Sequence, residues 1–351
     1  VLERLTGWDG EFLAVKHDDP SGATFLAGIH STVLGPGLGG TRMKVYASID
    51  EAVGDVLRLS RAMTSKNAMA GLPFGGGKAV LAVPRIPSGD ERAAMLRRYG
   101  GFVSSLRGAY VTACDMNTTE LDMDVIAERC EHVMGTTVER GGSGTSAPDT
   151  ALGVYHGIRA ALEHVSGSPE VAERSIAIQG TGAVGARLAE LLHADGAVLT
   201  VADVDEGRTR AVAGRTGATP VAADAIDATP CDVFAPCATG GTINAGSIER
   251  LRCSIVAGAA NNQLAEDADA ARLASRGIVY APDYVVNAGG VLHLAGYERL
   301  GWSATEMGEH LEGIGATLRA VFQRADDDSI TTAEAADRIV AERLGAADVT
   351  G

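Results

Sequence analysis

Ile176-Ala-Ile-Gln-Gly180-Thr-Gly182-Ala-Val-Gly185 is a short apolar run ending in glycines at GxGxxG spacing, and a helical stretch from Ala186 to Ala194 follows. In a chain with 45 glycines the spacing alone is weak. Its place between a strand and a helix gives it force. Gly180 is expected to make the tight turn, Gly182 to let a pyrophosphate approach the backbone, and Gly185 to allow close helix–strand packing. The whole run, Thr181, Ala183 and Val184 included, then offers backbone N–H groups at the positive end of a helix dipole. The next apolar run, Ala197-Val-Leu-Thr-Val-Ala-Asp203, ends in an acid at the distance where a carboxylate accepts from a ribose 2′-hydroxyl and repels a 2′-phosphate. That favours NAD over NADP, although Arg208 and Arg210 soften the preference.

Working outward, further short apolar runs at Val233–Ala235, Ile255–Ala257 and Ile278–Tyr280 alternate with helical stretches. This alternation predicts a parallel, doubly wound sheet. Upstream, Ala151 to Val165 reads as an amphipathic helix, and Gly141-Gly-Ser-Gly-Thr-Ser-Ala-Pro148 reads as a crossing between domains. The expected organisation is therefore an α/β substrate domain over 1–148 and a Rossmann dinucleotide domain over 149–351, with an active-site cleft between them. A charged helical end after about Thr305 is expected, able to pack back on the first domain. In that first domain, Ser48-Ile-Asp-Glu51 and Ser88-Gly-Asp-Glu91 fit capping boxes opening two helices. Ala70-Gly-Leu-Pro-Phe-Gly-Gly-Gly-Lys78 cannot be helical, and a strand-like Ala-Val-Leu-Ala-Val83 follows it.

Composition removes several function classes. The 351 residues carry a net charge of −15 and no basic block, so neither nucleic acid nor an anionic membrane is an expected partner. Neither a leader nor an apolar run of membrane-spanning length is read, and a cytoplasmic protein is expected. Five cysteines without a CxxC pair and eight histidines without ligand spacing predict no catalytic metal. His293 and the other histidines read as ordinary hydrogen-bonded residues.

Of 30 basic residues only four are lysines: Lys16, Lys44, Lys66 and Lys78. Where a fixed cation suffices the chain uses arginine, so a retained lysine suggests a compact ammonium or an amine able to lose its proton. Lys66 and Lys78 stand close together in an apolar, glycine-rich stretch. A P-loop is excluded, because Ala79 follows the lysine and Leu72 occupies the first glycine position. Two ammonium groups in one apolar cleft each disfavour the other's protonation, and burial adds to the effect. One can then act as a general base near pH 8 while the other anchors an anion.

At these residues the chain resembles the glutamate/leucine/phenylalanine/valine dehydrogenase family. The matching blocks are Gly35-Pro-Gly-Leu-Gly-Gly-Thr-Arg42, Met63-Thr-Ser-Lys-Asn-Ala, Gly71-Leu-Pro-Phe-Gly-Gly-Gly-Lys78 and Thr112-Ala-Cys-Asp115-Met-Asn-Thr-Thr. They continue with Pro148-Asp-Thr150-Ala-Leu-Gly, the GxGxxG, Gly258-Ala-Ala-Asn-Asn262-Gln and Pro282-Asp-Tyr-Val-Val-Asn-Ala-Gly-Gly290, in family order over about 35 to 295. The resemblance implies that Lys66 binds the substrate carboxylate, helped by N–H groups around Gly39 and Gly40. It implies that Lys78 activates the water attacking an imino acid and that Asp115 shuttles the amine proton. Thr150 would hold the nicotinamide carboxamide, and Asn262 would orient substrate and nicotinamide ribose. Ala238 and Thr239, after the Val233–Ala235 run, are counted with the cofactor-binding residues. Asn117 departs from the family, where glycine is frequent, so the loop after Asp115 is expected to differ in shape.

Members acting on glutamate carry a lysine near residue 38 for the second carboxylate, where this chain has Leu38. An apolar wall cannot offset the desolvation of that carboxylate, so glutamate is disfavoured. The resemblance places apolar Ala113, Val291 and Leu294 along the same pocket, as a hydrocarbon or benzyl group requires. The expected reaction is NAD-dependent oxidative deamination of an apolar L-amino acid, phenylalanine first and leucine or valine as the alternative, by a homo-oligomer. A rival of another class is a catalytically silent NAD-binding metabolite sensor, which would have no need of Lys66, Lys78 and Asp115 together. A hydroxy-acid enzyme would want a His–acid pair near the cofactor, and the sequence offers no convincing one.

Overall fold

The computed structural model describes residues 2–350. The chain divides into two compact units, the first running to Gly144 and taking in Leu294–Gly301 and the segment from Val340 onward. The second comprises Thr145–His293 and Trp302–Ile339. The boundary thus falls after Gly144 rather than at 148, and two later segments join the first unit. A sequence cannot mark such returns, because nothing local distinguishes them from the helices around them.

The first unit contains α1 (Leu2–Thr6), β1 (Phe12–Asp18), β2 (Ala23–Ser31), β3 (Gly37–Lys44), α2 (Ile49–Met69), β4 (Gly75–Ala82), α3 (Gly89–Ser105), β5 (Tyr110–Cys114) and α4 (Glu120–Ala127). The strands form one mixed sheet in the order β1-β2-β4-β3-β5. Pairing is antiparallel from β1 to β2 and β2 to β4, then parallel from β4 to β3 and β3 to β5. Alternation along the strands builds two cores. Phe25, Met43, Leu81, Met95, Tyr99 and Met123 pack on the α3–α4 side. Leu26 and Val80 pack against Val53, Val56 and Leu57 on the buried face of α2. The glycines before Lys78 lie inside β4 rather than ahead of it, because α2 and the neighbouring strands leave no room for side chains there. A Cβ at Gly76 would stand 1.9 Å from the Thr64 hydroxyl and 2.3 Å from its backbone nitrogen.

The two capping motifs are realised only in part. Ser48 accepts the Glu51 N–H, but the Glu51 carboxylate takes the N–H of Ala47 instead of completing the box. Ser88 occupies the cap position of α3 without a side-chain bond.

The second unit contains α5 (Ala147–Ser166), β6 (Ser175–Gln179), α6 (Ala183–Ala194), β7 (Val198–Ala202), α7 (Glu206–Thr216), β8 (Thr219–Pro220), β9 (Val233–Pro236), α8 (Ala245–Arg250), β10 (Ile255–Val256), α9 (Ala268–Ser275), β11 (Val279–Tyr280) and α10 (Asp283–Val286). After these come α11 (Gly289–Ala295), α12 (Ala304–Asp328) and α13 (Thr332–Thr350), the first and last of which run on into first-unit residues. The sheet order is β11-β10-β9-β6-β7-β8 and every pair is parallel. The order reverses between β6 and β9, the switch point at which doubly wound sheets bind dinucleotides. No helix among the described residues is long and apolar enough to cross a membrane.

Candidate active-site residues

In the first unit the sheet register assembles the chemistry on one face. Leu38 pairs with Gly76 of β4 and Val111 of β5, and Gly40 pairs with Ala113. The same offset sets Gly40 opposite Lys78. Side chains on paired residues share a face, and here that face is the one under α2, because Val80 on the same side of β4 packs beneath that helix. Leu38, Lys78, Ala113 and Arg42 therefore stand on one side of the sheet. The β3–β4 ladder skips Gly39 and Gly40 and resumes at Thr41. Lys78 reaches across β3 to Asp115, with its Nζ 3.0 Å from Oδ1. The path stays clear because residue 40 is glycine: a Cβ there would lie 2.9 Å from the Asp115 Cβ.

Lys78 is almost wholly buried, at 6 % exposure. Burial pulls its pKa below the ordinary lysine value, Asp115 opposes that, and the Arg42 guanidinium adds to the lowering. The expected effect of burial is thus the largest cause, and Arg42 supplies a cation next to the lysine that adds to it. Burial pushes Asp115 up, but the Lys78 ammonium and Arg42 more than reverse this and hold it down at about 2. Arg42 Nε donates to Asp115 Oδ2 at 2.9 Å and its Nη1 donates to Asp55 on α2 at 3.1 Å. Arg42 was not singled out by the sequence reading, although it ends a glycine-rich block that was. The signal was an arginine alternating on the same strand face as Leu38 and Gly40.

Lys66 is half-buried near the C-terminal end of α2. One turn earlier, Met63 approaches Gly39 so closely that a Cβ there would stand 3.1 Å from its Cγ. Asn67, beside Lys66, donates to the Leu38 and Gly75 carbonyls and fixes the helix on β3 and β4. Asn117 adopts φ 60°, the conformation glycine favours, and donates its amide to the Met43 carbonyl. A side chain thus fixes here the turn that a glycine permits. Leu294 belongs to the first unit and lies near Gly135 and Cys114, and Val291 belongs to the second.

The second unit holds the dinucleotide motif in the expected geometry. Gly180 turns at φ 98°, where a Cβ would strike Ala238 at 2.8 Å, and Gly185 would strike the Gly180 carbonyl at 2.0 Å. Nothing lies within 4 Å of a Cβ at Gly182, which leaves the space there that an approaching pyrophosphate would need. Asp203 Oδ2 accepts the Thr181 N–H at 2.7 Å and Oδ1 accepts the Asp205 N–H at 2.9 Å. Burial raises its pKa, but these N–H donors outweigh that and lower it, so it stays a carboxylate able to accept from a ribose. Across the switch point, Ala238 and Thr239 follow β9. Asn262, at φ 50°, follows β10, and its carbonyl accepts the Gly241 N–H at 2.8 Å. The residues present therefore fit a nicotinamide dinucleotide.

Thr150, in the first turn of α5, donates its hydroxyl to the Ser146 carbonyl at 2.9 Å, leaving that oxygen as an acceptor. Beside it the structure corrects the sequence reading: Asp149 Oδ2 lies 2.7 Å from Nδ1 of buried His293, a His–acid pair. The two residues are 144 positions apart and meet only because α11 packs on the start of α5.

A parallel sheet with a dinucleotide loop at its switch point defines one unit as the cofactor module of an oxidoreductase. The buried lysine–aspartate couple of the other unit narrows the class, and the chain belongs to the glutamate/leucine/phenylalanine/valine dehydrogenase family. Its residues 14–132 match the Glu/Leu/Phe/Val dehydrogenase dimerisation domain, and 141–209 and 203–350 match Glutamate/Leucine/Phenylalanine/Valine dehydrogenase. A leucine dehydrogenase of Thermoactinomyces intermedius is 44% identical, over 98% of this chain and 93% of its own length. A valine dehydrogenase of Streptomyces coelicolor is 45% identical, over 96% and 93%. The solved L-tryptophan dehydrogenase of Nostoc punctiforme is 37% identical, with TM-score 0.87 and 99% of each chain covered. The protein is thus an amino acid dehydrogenase, an oxidoreductase acting on CH–NH2 groups by oxidative deamination, with NAD as its cofactor.

Proposed function

We propose that this enzyme converts an apolar, branched-chain L-amino acid such as leucine or valine to its 2-oxo acid and ammonium. The buried Lys78–Asp115 pair carries the chemical reading. For the substrate, buried Leu38 supplies an apolar wall that disfavours glutamate. The names of the leucine and valine dehydrogenases support the branched-chain choice over the phenylalanine expected from sequence. The tryptophan dehydrogenase neighbour keeps an aromatic substrate as a second reading.

Lys66 anchors the substrate carboxylate beside Gly39 and Gly40. Asp115, held as a carboxylate by Lys78 and Arg42, meets the substrate ammonium as an anion, and it becomes basic enough to relay the ammonium's proton once Lys78 is neutral. The GxGxxG loop, Asp203, Ala238, Thr239 and Asn262 would hold NAD+, with Thr150 available to accept from its carboxamide, and the cofactor would supply the two-electron acceptor. Lys78, its protonated form disfavoured by burial, takes a proton from the water that attacks the imino carbon. It then stabilises the oxyanion as its ammonium. Carbinolamine collapse expels ammonia, which leaves as ammonium with the Asp115 proton. Turnover accordingly rises as pH climbs through the lowered pKa of Lys78. Self-association through the first unit fits its description as a dimerisation domain.

NADH formation from L-Leu, L-Val, L-Phe and L-Glu, each with NAD+ and NADP+, tests the reading. Fastest turnover of L-Leu or L-Val with NAD+ is expected, and L-Phe first would restore the aromatic choice. Turnover of none would return the silent sensor to the front.

A further inference from the structure

Behind Asp115 lies a row of charge that the reaction scheme leaves unused. Asp115 is gripped on one oxygen by Lys78 and on the other by Arg42. Arg42 turns its free Nη1 to Asp55 Oδ2, which also accepts the Tyr46 hydroxyl at 2.7 Å. Arg58, on the next turn of α2, holds Asp55 Oδ1 at 2.7 Å. The Arg42 and Asp55 side chains are only 16% and 14% exposed, so little water screens the row. Its order is lysine, aspartate, arginine, aspartate, arginine, with signs alternating throughout.

We infer that Arg42 and Asp55 are positioning residues that set when Lys78 gives up its proton: Arg42 keeps Asp115 compensated once the lysine is neutral, and Asp55 limits how strongly Arg42 opposes the ammonium. This rests on the reading of Lys78 as the base. Without Arg42, a neutral Lys78 would leave Asp115 as a buried carboxylate lacking a cation, and the lysine would hold its proton to higher pH. Without the Asp55 charge, Arg42 would act on Lys78 unopposed, and the proton would leave earlier. The charged groups acting on Lys78 are Arg42 from β3, Asp115 after β5 and Asp55 from α2, and Asp55 is in turn held by Arg58 from α2 and by Tyr46 between β3 and α2. Arg42 lowers and Asp55 raises the lysine's pKa, in keeping with this geometry. The position needs arginine because one planar fork reaches two carboxylates, which an ammonium cannot do in that arrangement.

The test is kcat/KM of the intact enzyme against pH from 6 to 11, with NAD+ and whichever amino acid it turns over fastest. In Arg42→Gln the rising limb should move alkaline by about one pH unit, close to a tenfold loss below it. In Asp55→Asn it should move acid by a similar or smaller amount. Arg42→Lys keeps a cation beside Asp115 but cannot reach both carboxylates, so its limb should lie nearer the original pH than that of Arg42→Gln without matching it. Losses uniform in pH, or limbs moving the same way in Arg42→Gln and Asp55→Asn, would overturn the inference. If Arg42→Gln does not fold, the near-isosteric Asp55→Asn decides through the direction of its shift. Lys78→Ala separates the two readings. If that variant keeps turnover, Lys78 is not the base; if it is inactive and no limb moves, only the roles of Arg42 and Asp55 fail.

Discussion

Both units depend on glycine runs, and the two runs do different work. In the first unit Gly39, Gly40 and Gly75 to Gly77 sit in strands, where what matters is missing volume: added Cβ atoms would meet backbone or side-chain atoms at 1.8 to 2.9 Å. Their absence lets α2 press onto β4 and lets Lys78 pass over β3 to Asp115. In the second unit Gly180 makes the turn and Gly182 leaves space open to solvent. Glycine thus makes a dense, buried charge site in one place and an open loop at a helix N-terminus in the other. Removing side chains buries a lysine there, whereas here it exposes N–H groups. The contrast supports the proposed roles, because desolvation disfavours a charged amine and helix-end amides favour an anion.

The largest effect expected is in the dense site. On the proposed mechanism Lys78→Ala should lower kcat/KM by about 10³-fold or more, since it would remove both proton transfer and oxyanion stabilisation. NADH binding, assigned to the GxGxxG loop, should stay within about twofold by fluorescence titration, because Lys78 is given no part in holding the dinucleotide. Unchanged turnover would break the assignment of chemistry to the first unit. Next in size is a matched pair of glycine substitutions followed by denaturant unfolding and NADH titration. Gly76→Ala drives a methyl into Thr64 of α2 and should cost about 3 kcal/mol of stability, the upper range of overpacking in a filled core. Gly182→Ala meets no protein atom, so it should leave unfolding unchanged and weaken NADH about tenfold by obstructing the ligand. Equal effects of the two on stability would remove the distinction.

Legibility in the sequence divides along the same line. The open cradle was readable because its order is local: a strand, GxGxxG, a helix and an acid ending the next strand all lie within 28 residues, from Ile176 to Asp203. Only the two-residue β8 went unread there. The dense site was readable in its residues and not in its architecture. Lys66, Lys78 and Asp115 stood out by composition and family resemblance, yet β1, β2 and β3 were not read as strands. The Gly-Leu-Gly-Gly of β3 shows neither alternation nor β-branched residues, since that strand is selected for closeness and not for propensity. Arg42 escaped because its two carboxylates, Asp55 and Asp115, are 13 and 73 residues away. The His293–Asp149 pair escaped for the same reason. Charge networks closed by tertiary contacts leave no local pattern.

The smallest expected effect sharpens the reading of the cradle itself. Asp203 accepts the Thr181 and Asp205 N–H groups, which brace the loop, and on the proposed reading its carboxylate also meets the ribose. Asp203→Ala removes both, so kcat/KM with NAD+ should fall through a loosened loop as well as a lost ligand bond. With NADP+ the loosened loop also costs activity, but relief of repulsion between the carboxylate and a 2′-phosphate offsets it. The NAD+/NADP+ ratio should therefore fall about tenfold, the size of one charge-assisted hydrogen bond, with Arg208 and Arg210 nearby to receive the phosphate. Asp203→Asn keeps an acceptor for one N–H and discards the charge, so a ratio change shared by both variants belongs to electrostatics, and one confined to Asp203→Ala belongs to the loop. If the unaltered enzyme already prefers NADP+, the carboxylate is only a brace, and the two arginines set the cofactor preference.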